Sequence, residues 1–152
     1  MRSVLILLTY LAVGCATDAS SPPKSLYERL GGDAGITAVV DDFIPRITND
    51  PDVNFARKGV PTTQEWQTTP RNVQHVKAEL IAFIGSATGG PQKYTGRDMK
   101  AMHVDMQITS AEFDACADDL RRSMEKLKVP KQEQDELLAI VETTRSQIVT
   151  KK

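Results

Sequence analysis

The chain has two histidines, and one of them, His103, stands among residues that could set it against a metal. If Asp98 opens a short helix, Met99 lies one turn before His103 and Met106 nearly one turn after it, so all three project to one side. An imidazole framed by soft thioethers on an apolar wall suits the axial base of a haem iron, where the histidine supplies the bond and its surroundings exclude water. A histidine satisfied inside a core has the same spacing, so spacing alone leaves both possibilities open. The other histidine, His75, is rotated by about 100° from Val76 on a helix, which favours the surface or a rim over a distal position at the iron.

A wide apolar slot around such an iron can be furnished by Phe43, Ile44, Phe55, Val76, Leu80, Phe83, Ile84, Met99, Met102, Met106 and Phe113. Each of these taken singly reads more readily as ordinary core than as a cofactor contact; it is as a set beside His103 that they point to a slot. Lys77, Arg97 and Lys100 are candidate partners for carboxylates at the rim, with a solvated surface charge as the alternative for each.

These side chains need helices to position them. Ser25 and Glu28 form a capping box for a short first helix, which Gly31-Gly32 ends. Asp33 can cap the next helix, whose Ile36, Val39, Val40, Phe43, Ile44 and Ile47 recur at helical spacing. Pro45 is expected to kink or stop that helix near Asp41 to Ile44, because its ring removes an amide donor and presses on the carbonyl four residues back. Residues 54–69 read as a long polar loop in which Trp66 either anchors the chain or closes one edge of a pocket. Thr69-Pro70 then starts a helix to about Ala87, Gly89-Gly90-Pro91 stops it, and the segment from Tyr94 to His103 follows. Thr109 and Glu112 make a second capping box, opening a helix with Phe113, Cys116, Ala117, Leu120, Met124 and Leu127 on one face. Val129-Pro130 separates it from a last helix over 131–149. No alternation of period two and no internal repeat competes, so an all-α chain is expected.

With 152 residues the chain suits one domain. Its 19 basic and 20 acidic side chains include no basic block and no interleaving of aromatic with basic residues, which argues against nucleic acid as a partner. Residues 1–14 join a positive start at Arg2 to an apolar run too short to span a bilayer, and read as a signal peptide. Leu11-Ala12-Val13-Gly14-Cys15 resembles the lipobox of bacterial lipoproteins, which makes Cys15 a lipid attachment point; an ordinary secretory signal cut nearby is the alternative. Residues 15–24 are then a lipid-anchored linker and the protein is exported, periplasmic or at the cell envelope. With Cys15 acylated, Cys116 has no cysteine to pair with and reads as a small buried apolar residue.

Several segments together carry a family likeness. Ser25-Leu26-Tyr27-Glu28-Arg29-Leu30-Gly31-Gly32, Val39-Val40-Asp41-Asp42-Phe43, Thr88-Gly89-Gly90-Pro91, Tyr94-Thr95-Gly96-Arg97-Asp98-Met99 and Met102-His103 followed by Ile108-Thr109 resemble, in this order, the truncated haemoglobins of group I. The resemblance spans roughly Ser25 to Val149. It implies a truncated globin domain over 25–152, a two-over-two α-helical sandwich in which helices at about 34–48 and 70–87 face those at about 110–127 and 131–149. It further implies haem b (iron protoporphyrin IX) on His103 as proximal ligand, the 70–87 helix over the distal face, and reversible binding of O2, NO or CO.

The distal side departs from the family pattern. Group I relatives commonly carry a tyrosine after the phenylalanine matched by Phe43, and polar residues such as glutamine on the distal helix. Here Ile44 takes the first position, and on an ungapped count from Gly89-Gly90, Val76 and Leu80 take the others. Bound dioxygen carries partial negative charge, so without these donors it is expected to leave faster than from a polar pocket. A nitric oxide dioxygenase or peroxidase-type haem enzyme served by a reductase is the alternative function, against which the apolar distal side argues. A haem-free helical interaction lipoprotein is a third.

Overall fold

The computed structural model describes residues 22–151. The expected signal peptide, Cys15 and most of the linker lie outside these residues. Among the described residues the regular elements are helices, with one isolated bridge between Ile108 and Val149. None of these helices is long and apolar enough to cross a membrane.

Both capping boxes form. Ser25 Oγ accepts from the Glu28 amide while Glu28 returns to the Ser25 amide, opening α1 (Leu26–Arg29), and Thr109 and Glu112 do the same for α5 (Ser110–Lys126). Gly31 and Gly32, at φ 92° and 63°, turn the chain into α2 (Gly32–Asn49), whose cap is Gly31 rather than Asp33. The predicted stripe on α2 is buried throughout: Ile36, Val39, Val40, Phe43, Ile44 and Ile47 are each at most 5 % exposed.

Of the two outcomes expected of Pro45, a kink or a stop, the stop does not occur; the helix runs on to Asn49. Both Pro45 and Asp41, whose carbonyl loses its amide partner, lie on the exposed side, where water can take the place of the missing bond. Beyond the proline the turn is held by Asp50 N donating to Arg46 O at 2.9 Å and Thr48 Oγ1 donating to Ile44 O at 2.9 Å.

Helix α3 (Pro70–Ala87) starts as read, with Thr69 Oγ1 accepting from Asn72 N and Pro70 in the first turn. A five-residue helix, α4 (Met99–His103), follows under the cap of Asp98, whose carboxylate accepts from Ala101 N at 3.0 Å. The expected last helix divides into α6 (Lys131–Glu142) and α7 (Arg145–Ile148). At the break the hydroxyls of Thr143 and Thr144 each donate at 2.7 Å to the carbonyl three residues back, which favours a turn over continued helix.

Helix α2 packs on both α3 and α5, α5 packs on α6, and α4 rests chiefly on α7. The core, centred on α2, adds Leu26, Leu30, Ile84, Leu120, Met124 and Leu137. Ion pairs at its edges join elements and, in one case, two residues a helical turn apart. Arg29 of α1 reaches Glu133 and Glu136 of α6, and Asp42 of α2 takes Arg46 at 2.6 Å and Lys126 of α5.

The Lys126 ammonium bonded to Asp42, with Arg46 beside it, holds that carboxyl at about 2, below the usual aspartate range, against the opposing effect of burial. A carboxylate depressed in the fold contributes stability that is present above its unfolded value, near 4, and is lost as pH falls through about 2. Urea unfolding followed by the fluorescence of Trp66 should show wild type more stable than Asp42→Asn at pH 7, with the gap closing between about pH 4 and pH 2. A gap that does not change with pH refutes this.

Candidate functional site

His103 closes the short helix α4, its ring half-buried. Nδ1 lies 2.7 Å from the Met99 carbonyl oxygen, and because a carbonyl can only accept, the ring proton belongs on Nδ1. Nε2 then keeps its lone pair, and it has no hydrogen-bond partner among the described residues. Burial pushes the imidazole below its ordinary value, with nearby Arg97 acting in the same direction and the bond to Met99 opposing both. A neutral imidazole fixed through Nδ1 with Nε2 free is the arrangement of a metal-binding histidine.

The candidate wall residues divide into two groups by burial. Phe43 and Ile44 on α2, Ile84 on α3 and Phe113 on α5 are fully buried. Val76, Leu80 and Phe83 on α3, and Met99, Met102 and Met106 at α4, are only half-buried although they stand at apolar positions. Met106 falls outside α4, in the turn closed by its own amide donating to His103 O at 3.0 Å, so it does not share a helix face with His103 as the spacing suggested. The segment between α3 and α4 is moored to α3: Tyr94 meets Phe83 edge to face at 5.6 Å, and Gly96 sits so close to Glu79 and Tyr94 that a β-carbon there would collide with both. Beyond this mooring α4 turns to α7, leaving apolar faces of α3 and α4 that do not pack closely on each other.

Phe55 packs on the core and meets Trp66 edge to face at 5.0 Å, which ties the long loop to it. His75 is exposed on α3. Of the rim cations, Lys77 is engaged by Asp41 at 2.5 Å, whereas Arg97 and Lys100 are exposed and make no ion pair among the described residues. Cys116 packs against the core, and burial pushes its thiol up to about 12.

Arg57 escaped the sequence reading. It sits in the polar loop yet is 4 % exposed, paired with Glu112 at 2.9 Å. Its partner lies 55 positions away and already serves as a helix cap, so no local signal marks it.

Haem requires a neutral nitrogen base, apolar walls that leave room between them, and cations at a rim. His103 with its free Nε2, the half-buried apolar side chains of α3 and α4, and Arg97 and Lys100, which make no ion pair among the described residues, supply the base, the apolar lining and the cations, so the donor set fits the group.

The model of the bacterial-like globin family matches residues 25–150. The group 1 truncated hemoglobin GlbN of Mycolicibacterium paratuberculosis is 28 % identical over 128 residues, covering 84 % of this chain and 86 % of its own. Among solved structures, the truncated hemoglobin of Tetrahymena pyriformis in its Fe(III) form superposes with TM-score 0.70 at 25 % identity, over 83 % of this chain and 98 % of that one. The 2/2 hemoglobin of a Synechococcus species, in the cyanomet state with covalently attached heme, gives TM-score 0.69 at 30 % identity over 84 % and 100 %.

Proposed function

Because the chain belongs to the bacterial-like globin family, which makes it a haem-binding globin of the two-over-two type, we propose that it holds haem b through His103 Nε2 and binds a diatomic gas reversibly. The observation that carries this is the bond from His103 Nδ1 to the Met99 carbonyl, which leaves Nε2 as a neutral, oriented base. When bound, the haem supplies an iron whose sixth position takes O2, NO or CO. The chain's own residues set what surrounds it. Met99 and Met102 shield the His103 side from water, Val76, Leu80 and Phe83 form the opposite wall, and Arg97 and Lys100 offer charge to the propionates. With Ile44, Val76 and Leu80 where donors could stand, the gas side offers no side-chain hydrogen bond from these positions, which favours rapid release of dioxygen.

Purified chain mixed with hemin should give a Soret band that saturates at one equivalent, and after reduction the band should shift on addition of carbon monoxide. A spectrum no different from free hemin overturns the proposal. The lipobox-like run ending at Cys15 further supports an exported protein anchored by a lipid on that cysteine. Transfer of the protein from the detergent phase to the aqueous phase on Cys15→Ala is the expected result, and wild type found in the aqueous phase overturns it.

A further inference from the structure

The loop between α2 and α3 reaches across to the turn behind His103. Thr62 Oγ1 donates to the Asp105 carbonyl at 2.6 Å and accepts from Gln107 Nε2 at 3.0 Å. Earlier in the loop Arg57 pairs with Glu112 at 2.9 Å and donates to the Gln107 carbonyl at 3.3 Å. On either side of these two points the loop is closed on itself, by Trp66 N donating to Ala56 O at 2.9 Å and by the Phe55–Trp66 contact. The loop therefore grips residues 105 and 107 from two places.

What it grips is the exit of α4. The turn starts with Met106 N donating to His103 O at 3.0 Å and ends at Gln107, which holds a left-handed φ of 50° that a residue with a side chain adopts only when its surroundings impose it. A helix of five residues is too short to hold its own geometry, so the direction of the His103 ring depends on what fixes the two ends of α4. Asp98 caps the start; at the far end the turn is held by Thr62 and Arg57, and just beyond it Ile108 O accepts from Thr150 N and Lys151 N.

We propose that Thr62 and Arg57 are positioning residues for His103, and that the α2–α3 loop is a strap which sets the direction of the imidazole and thereby its hold on the iron. This rests on His103 as the haem ligand. Arg57 is a poor place to test it, because removing a buried cation strands Glu112 and endangers the fold. Thr62 is exposed, so Thr62→Val removes the hydroxyl with little risk, and Thr62→Ser keeps it.

In the haem-free chain, long-range 15N–1H NMR of the His103 ring should show altered nitrogen shifts in Thr62→Val and near-wild-type shifts in Thr62→Ser, at an unchanged urea midpoint. In the loaded ferrous protein the iron–histidine stretching band should move in Thr62→Val alone, and haem should pass to a competing apoglobin about tenfold faster, the low end for partners that orient a ligand. Identical His103 spectra and stretching bands in all three proteins overturn the strap. Should wild type take up no haem, the ligand assignment falls, and the NMR spectra of the haem-free chain still decide whether Thr62 orients the ring.

Discussion

His103→Gly is expected to abolish the Soret band at protein concentrations where wild type is fully loaded, and free imidazole should restore it. Loss of groups that merely orient a metal-bound histidine costs roughly 10–100-fold in affinity, so loss of the ligand itself should exceed about 100-fold. Glycine is chosen because it opens room for imidazole at the position of the ring. The ring is half-buried at the end of a short helix and takes no part in the core around α2, so the fold should survive the substitution. Far-UV circular dichroism with the same helical signal in both proteins would establish that. His75→Ala, at an exposed site on α3, should leave the spectrum untouched. A band that persists in His103→Gly without imidazole, or that vanishes in His75→Ala, would overturn the assignment of the axial base.

The reason so much of the fold could be read from the sequence lies in which of its parts are local. A capping box spans four residues, so Ser25 with Glu28 and Thr109 with Glu112 announce the starts of α1 and α5 as they stand in the chain. The stripe from Ile36 to Ile47 fixes the buried face of α2 by its period alone. Pro45 does not end its helix because its local effect is conditional: the lost bond matters little when the orphaned carbonyl faces water, and exposure is a property of the fold. The break after Glu142 was hidden for a related reason, since Thr143 and Thr144 are compatible with a helix until their hydroxyls turn back on it. Arg57 with Glu112, and Arg29 with Glu133 and Glu136, join positions 55 and more than 100 apart, and nothing in a single sequence pairs such charges. The strap at Thr62 is of this kind. His103 is singled out because its family context is written in neighbouring residues, while the bonds at Thr62 and Arg57 come from a distant loop.

Ile44→Tyr should slow the release of dioxygen by about 10- to 150-fold. That range follows from a hydrogen bond to a charged acceptor, worth about 1.5–3 kcal/mol, at about 1.4 kcal/mol per decade. The premise is that bound dioxygen withdraws electron density from the iron and gains from a nearby O–H, whereas Ile44, Val76 and Leu80 have none to give. Position 44 is 5 % exposed in the core around α2, so the larger ring costs about 1–3 kcal/mol of stability through overpacking. Ile44→Phe carries nearly the same bulk without the hydroxyl and separates the two effects, since any slowing it shares with Ile44→Tyr is steric. Leu80→Gln offers a second route from α3, where the native side chain is only half-buried and an amide can be admitted with less strain. Carbon monoxide, which draws less negative charge, should respond far less than dioxygen to either polar variant, so the ratio of the two ligands' release rates reports the hydrogen bond itself. Equal release from Ile44→Tyr and Ile44→Phe would mean that the hydroxyl at 44 does not reach the gas or that another donor already serves it, and would overturn the proposal of rapid release from an apolar distal side.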